Sequence, residues 1–279
     1  MLTVLTAGLT AACRTSPPGN CIAPPAAAIQ PGADYTALCW RSASLSSVVF
    51  DSSKMGRIDL RTSDLERASF FMADLTDSDL SGANLRHVVL TRALLRDADL
   101  KGADLSFVRA LNATLNGADL RGATLHHGDF TDADLRGVDL TGAAGVSAVL
   151  RLADLRGARF HDADLRGADL TMAKLEQSDL QHTDLRGAAL RGADLANTDL
   201  HGTDLRTTDL FAADLSGANL AYADLRGAML GQSILEGANL TGALLDGCDL
   251  TGAQLRSATL SMVDLSTAIT VQTRGLPSW

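Results

Sequence analysis

Leucine recurs at every fifth residue through most of this chain. Of the 45 positions read in steps of five from 45 to 265, Leu fills 38, and the other seven are Phe50, Met55, Phe70, Ala110, Phe130, Gly145 and Phe160. The frame runs upstream through Trp40 and Tyr35 without an insertion or deletion. That period excludes both regular elements as a continuous structure. A helix turns about 100° per residue, so a step of five would scatter the leucines around its axis. A strand alternates faces, so an odd step would send successive leucines to opposite sides. The chain must bend once per repeat if the leucines are to share one interior.

The rest of the unit supplies the bend. With the leucine position called i, position i−2 is mostly Ala, i−1 is mostly Asp or Asn, and i+2 is often Gly. In an extended segment i−2 and i share a side, so Ala163 and Leu165 point inward and Asp164 outward. Gly167, or a small polar residue in its place, lets the chain turn. The i−1 Asp is expected to accept a hydrogen bond from nearby backbone at the bend. Repeated bends wind the chain into coils that pair about 4.8 Å apart, with leucines stacked on leucines and alanines on alanines. Such an interior is narrow, which fits a chain that is 46% hydrophobic but only 4% aromatic. One buried leucine per five ordered residues leaves an isolated coil unstable, so stability must come from stacking, and the ends need caps. Tyr35, Trp40, Phe50 and Met55 are expected to close the N-terminal end, and Leu276, Pro277 and Trp279 the C-terminal end.

The motif Ala-(Asp/Asn)-Leu-x-x, as in Ala163-Asp164-Leu165-Arg166-Gly167 and Ala218-Asn219-Leu220-Ala221-Tyr222, resembles the pentapeptide-repeat family. The resemblance implies an all-β fold, a right-handed quadrilateral β-helix with four repeats per coil and about twelve coils. At about 4.8 Å per coil the rod would be roughly 55 Å long. The residues alone leave the number four open. Arginines at i+1 recur at spacing 20 (Arg166, Arg186, Arg206, Arg226) but also at spacing 15 (Arg121, Arg136, Arg151, Arg166). The expected organisation is an N-terminal tail over 1–32, the β-helix over 33–268 and a cap over 269–279.

With twenty residues per coil, the outward positions sort into four faces. Face 1 holds Leu60, Leu80 and Leu100, and carries an unbroken column of Asp59, Asp79, Asp99, Asp119 and Asp139. Asp162, Asp179 and Asp199 add to it, against Arg61, Lys101, Arg121 and Arg159. Face 2, with Leu65 and Leu85, carries the arginines Arg166 to Arg226 beside Asp164 to Asp224, which are expected to neutralise each other. Face 3, with Phe70 and Leu90, is the most apolar outside, through Phe71, Met72, Leu111, Leu152, Met172, Phe211 and Met229. A contiguous patch there would make it a contact or homodimer surface. The formal charge is −9. Some members of the family resemble duplex DNA in width and charge and occupy the DNA-binding saddle of DNA gyrase, protecting it from topoisomerase poisons. By that resemblance the face 1 column would meet the basic surface that binds phosphates. This chain differs in its modest charge and in having no long helix-forming stretch after Leu265.

No P-loop, HExxH, GxSxG or dinucleotide glycine signature is present. The histidines are His87, His126, His127, His161, His182 and His201, and His126-His127 is adjacent to no cysteine pair. They read as solvated surface residues rather than metal ligands. No cofactor, metal or catalytic residue is expected, and the chain reads as a non-enzyme that binds a protein and does not contact nucleic acid directly.

Before the repeat, MLTVLTAGLTAAC ends at Cys13 and is followed by a Pro/Gly/Ser-rich stretch to Pro31. This resembles a bacterial lipoprotein signal, in which the cysteine is lipidated, although no Lys or Arg precedes the apolar run and Thr10 stands where Leu is usual. The run is far too short to span a membrane. The chain reads as cytoplasmic, with an exported, lipid-anchored envelope rod as the alternative. Export would make a Cys21–Cys39 disulfide possible, and Cys248, at an i−2 position, reads as a small buried residue.

Overall fold

A left-handed residue recurs once in every unit and fixes the path of the chain. The computed structural model describes residue 21 and residues 23–276. From Gly32 to Gln272 each i+2 residue has a positive φ, except Thr267. Gly167 sits at 64°, but Asp162 at 57° and Leu152 at 59° hold the same conformation with a Cβ. A non-glycine residue there costs about 1–2 kcal/mol, so the bend is imposed by its hydrogen bonds and not by glycine alone.

The unit around Leu165 accounts for all five of its N–H groups. Leu165 N–H donates to Asp184 C=O (2.8 Å) and Gly167 N–H to Arg186 C=O (3.0 Å), both in the next coil. Ala168 N–H closes the turn on Leu165 C=O (3.0 Å), and Asp169 N–H reaches back to Ala148 C=O (2.9 Å). The fifth donor, Arg166 N–H, has no backbone partner and is met by Asp164 Oδ1 (3.3 Å). The i−1 aspartate therefore completes the backbone, which explains its recurrence better than any charge pattern does.

All the β-bridges among the described residues are parallel and join i−1 positions twenty residues apart, so a coil is four units. Twelve of them run in succession from Asp34↔Lys54 to Gln254↔Arg274. The coiled pattern thus continues past residue 268, the expected end of the β-helix. Residues 269–275 have lost the Ala-Asp-Leu consensus but keep its phase, with Gln272 left-handed.

The interior is dry. Leu165 is 3% exposed and Ala163 2%, and the same holds along the rod to Leu255. Where Thr replaces Ala its hydroxyl finds a backbone carbonyl, of the preceding coil for Thr203 Oγ1 to Leu180 C=O (2.7 Å) and of its own turn for Thr198 Oγ1 to Leu195 C=O (2.6 Å). The two ends differ. At the N-terminal end Tyr35, Trp40, Phe50 and Met55 are buried, and Phe50 stacks on Phe70 at 4.8 Å. The Tyr35 hydroxyl accepts the Gln30 N–H (2.8 Å), and the only helical element among the described residues is a 3₁₀ turn, Ala26–Ala28. At the other end Leu260, Val263, Leu265 and Ala268 are only partly buried. Leu276 is half-buried, and Pro277 and Trp279 lie outside the described residues.

Candidate functional site

A regular rod offers its outer faces as sites, and the i−1 and i+1 side chains set what each face presents. On face 2 the aspartate that accepts the i+1 N–H also holds the i+1 arginine side chain. Arg166 Nε donates to Asp164 Oδ1 (2.8 Å) and Nη2 to Oδ2 (2.7 Å). Arg186, Arg206 and Arg226 repeat this on Asp184, Asp204 and Asp224. Arg166, Arg186 and Arg206 also approach the next coil's aspartate, at 3.8 Å for Arg166–Asp184 and 3.5 Å for Arg186–Asp204 and Arg206–Asp224. The result is an alternating ladder of fork-shaped pairs. Hydrogen bonds from Arg166 hold the Asp164 carboxyl below the usual range, and those from Arg226 do the same for Asp224.

Face 1 does bring Asp59, Asp79, Asp99, Asp119 and Asp139 into one column, but each is ion-paired. Asp59 meets Arg41 (2.6 Å) and Arg61 (2.8 Å), and Arg61 reaches Asp79 (3.2 Å). Lys101 bridges Asp99 (2.8 Å) and Asp119 (3.0 Å), Arg121 holds Asp119 (2.8 Å), and Arg159 holds Asp139 (3.0 Å). Burial pushes the Asp119 carboxyl up, yet hydrogen bonds from Arg121 and Lys101 outweigh it and hold the group at about 2. Arg41 was not among the cations expected on this face, and its in-phase position after Trp40 was the available signal. Farther along, Asp179 and Asp199 are followed by amides, with Asn219 Nδ2 donating to Asp199 (2.9 Å) and Asn239 Nδ2 to Asn219 (3.1 Å).

Among the described residues, face 3 carries eight of the thirteen large hydrophobic side chains that are exposed, including Leu152, Met172 (54%), Phe211 and Met229. Phe71 and Leu111 are half-buried. Sequence reasoning missed Val49, Ile269 and Val271, which lie on the same face at i−1 and i+1. Charged pairs interrupt the stripe, as at Arg151–Asp169 (3.2 Å), and the Arg191 guanidinium lies 4.6 Å from the Phe211 ring centre.

Five of the six histidines form two columns. His161, His182 and His201 meet edge to face at 5.5 and 5.9 Å, and Tyr222 continues the row at 5.6 Å. His87, Phe107 and His127 stack nearly parallel at 4.9 and 5.1 Å on face 2. Among the described residues no group of His, Cys, Asp or Glu has the arrangement to hold a metal ion.

One unit breaks face 2. At Ala144-Gly145-Val146 the Asp, Leu and i+1 cation are all missing. Inside, Gly145 leaves a small apolar void of about 10 Å³ bounded by Leu125, Phe130 and Leu165. Outside, the same unit floors a shallow depression of about 520 Å³ between Phe107 and Arg166. Ala144 has no side-chain oxygen for the Val146 N–H, and His126 of the preceding coil accepts it instead at Nδ1 (3.1 Å).

Cys21 and Cys39 form a disulfide with Cα atoms 4.9 Å apart, tying the N-terminal segment to the first coil. Cys248 is buried, and burial pushes its thiol up to about 12, so it is an unreactive packing residue. Cys13 lies outside the described residues. Among those described, no helix is long and apolar enough to cross a membrane.

Comparison with known proteins bears on the whole chain. The sequence pattern of pentapeptide repeats matches it in eight copies, between residues 43 and 269. Among solved structures it is similar to HetL, a pentapeptide repeat protein involved in heterocyst differentiation regulation in the cyanobacterium Nostoc sp. strain PCC 7120. Identity is 32% over 86% of this chain and 93% of that one, with a TM-score of 0.61. It is also similar to QnrB1, a plasmid-mediated fluoroquinolone resistance protein, at 19% identity over 62% of this chain and 84% of that one, TM-score 0.48. A pentapeptide repeat protein of the Arabidopsis thaliana thylakoid lumen matches at 31% identity over 38% of this chain and 67% of that one, TM-score 0.28. No curated protein matches the sequence significantly.

Proposed function

This chain belongs to the pentapeptide-repeat family, whose fold is the all-β right-handed quadrilateral β-helix, and we propose that it is a non-catalytic rod that binds a protein partner along face 3. The concentration of exposed Leu152, Met172, Phe211 and Met229 on that one face carries the reading. Scattered exposed hydrophobics are normal, whereas their alignment on one side marks a contact surface. A photoreactive residue in place of Met172 or Phe211 should give a discrete adduct in native cells, and one at Asn197, beside Leu195 on the remaining fourth face, should give none. Equal labelling from both faces, or no adduct from face 3, would reject it. An adduct between two copies would identify a homodimer as the partner.

Binding to DNA gyrase or topoisomerase IV as a DNA mimic is the sharper alternative, and face 1 is where it would act. The alternation of Asp59, Asp79, Asp99, Asp119 and Asp139 with Arg41, Arg61, Lys101, Arg121 and Arg159 weakens that column as a phosphate substitute. Absence of any effect on supercoiling at micromolar protein, with and without a quinolone, would remove the alternative.

The Cys21–Cys39 disulfide favours a further reading, an exported rod anchored through a lipidated Cys13, because such bonds persist in oxidising compartments. Mass spectrometry of the native protein should then find diacylglyceryl-modified Cys13 at the N-terminus and an intact Cys21–Cys39 cross-link. An unmodified N-terminus upstream of Cys13 would exclude the anchor.

A further inference from the structure

We infer that the open start of the face 2 ladder, at Val146, is a docking site for an arginine side chain of a basic partner segment. The ladder has a direction. Each arginine is clamped to its own aspartate, and Arg166, Arg186 and Arg206 lean toward the aspartate of the next coil, so each later aspartate of the ladder is approached from both sides. Asp164 is the exception. The place of its second arginine, at i+1 of the preceding coil, is taken by Val146. Its carboxylate is accordingly the most open of the four, 34% exposed against 28%, 27% and 19% for Asp184, Asp204 and Asp224.

The surroundings suit a guanidinium. The depression in front of Asp164 is floored by Ala144 and Val146, which leave the space that an i+1 arginine fills elsewhere on the face. Its far wall is lined by Phe107, His126 and His127, and Arg86 already lies 5.7 Å from the Phe107 ring centre while pairing with Asp104 (3.1 Å). A planar cation there can pair with a carboxylate while lying against aromatic side chains, a combination that suits arginine. Arg166 at the lower edge does not repel it more than neighbouring ladder arginines repel one another, since each is neutralised by its own aspartate. The chain as a whole is acidic, so a basic segment is also the partner its field attracts. Face 2 is separate from the apolar stripe of face 3, so binding at either can fail without the other.

The test uses the full chain and a blocked hexapeptide, acetyl-Ala-Ala-Arg-Val-Ala-Ala-amide, titrated while methyl signals of Ala144 and Val146 are followed by NMR. A saturable shift confined to those residues and their neighbours is expected, with none from the citrulline analogue, which keeps the shape and loses the charge. Asp164→Asn should weaken binding about fivefold or more. It keeps the acceptor for the Arg166 N–H, as Asn84 does for Arg86. Val146→Arg should abolish binding by filling the gap from within, and Asp224→Asn, at the closed end of the ladder, should leave it unchanged. Thermal unfolding by circular dichroism checks that the variants fold, and if Val146→Arg does not, Asp164→Asn decides. No saturable shift, equal binding of the citrulline peptide, or undiminished binding by Asp164→Asn overturns the inference.

Discussion

Two units of face 2, two coils apart and alike in register but opposite in content, separate what the repeat needs from what it merely prefers. At Thr183-Asp184-Leu185-Arg186 the leucine fills the core, the aspartate accepts the i+1 N–H, and the arginine locks the aspartate. At Ala143-Ala144-Gly145-Val146 none of these is present, yet the backbone follows the same course. Gly145 N–H donates to Asp164 C=O (2.7 Å), Ala148 N–H closes the turn (3.0 Å), and Ser147 is left-handed at 58°. The coil is held from above and below by its neighbours, so one unit can lose its consensus. Its i+1 N–H, left without an aspartate, is met by His126 across coils. Such support from nearest neighbours is the general basis of stability in solenoids.

The difference between the two units is tested most severely at Leu165, which lines the void beside Gly145. Leu165→Asp should cost at least about 4 kcal/mol and open the adjoining coils, because it buries an unpaired charge in a dry core. Denaturant unfolding and amide exchange would measure it, and a cost below about 1 kcal/mol would mean that the interior admits water near Gly145. A second route is acid. The Asp119 carboxyl sits at about 2 against an ordinary 3.8, so its contribution to stability is present above about pH 4 and is lost as the pH falls toward 2. Asp134, Asp154 and Asp224 are shifted in the same direction, each chiefly by a hydrogen bond from the arginine two residues on. Melting temperature should accordingly be level from about pH 7 to about pH 4 and fall below it, and a decline confined to higher pH would contradict the pairing.

Smaller changes probe the same difference. Asp184→Ala strands the Arg186 N–H and should cost about 1–2 kcal/mol, with Asp184→Asn costing less than half of that because an amide oxygen can replace the carboxylate. Equal costs for the two would assign the stabilisation to charge instead of the backbone acceptor. Gly145→Ala should stabilise the rod by about 0.5–1 kcal/mol, since φ there is not left-handed and the unfolded chain loses freedom. The new Cβ would meet Leu165 Cδ2 at 2.9 Å, a side-chain tip that can move. A loss of stability would show that Leu165 has settled too firmly into the space beside Gly145.

The fold was legible because its period is a property of the chain alone. Leu165 inward, Asp164 outward and a turn at Gly167 follow from alternation and from what no helix or strand can do. Twenty residues per coil was not legible from the arginines, because Arg151 and Arg166 fit a spacing of fifteen as well as Arg166 and Arg186 fit twenty. Only the pairing of coils, Asp164 on Asp184, resolves it. The turn residue was read too narrowly as glycine or small, since Leu152, Met172 and Phe107 also adopt the left-handed conformation. On the surface, the aspartates of face 1 could be counted but their pairing could not, because Lys101 reaches two of them from different coils. Gly145 stood out as an exception in the leucine column. That its neighbours Ala144 and Val146 open a gap on the outside required knowing which side chains lie one coil above and below.

Parallel pairing at an interval of twenty residues also governs how such a chain can lengthen. Adding one whole coil leaves every column on every face undisturbed. Adding a single unit leaves the core filled but turns all that follows by a quarter of a circuit, so that an Asp–Arg ladder begun on one side would resume on the next. Adding one residue would put a leucine where an aspartate belongs, and the interior could not close. The rod could therefore grow in three grades, silent, face-shifting and forbidden, and the face 2 pairs from Asp164 to Arg226 keep one column because every coil between them holds four units.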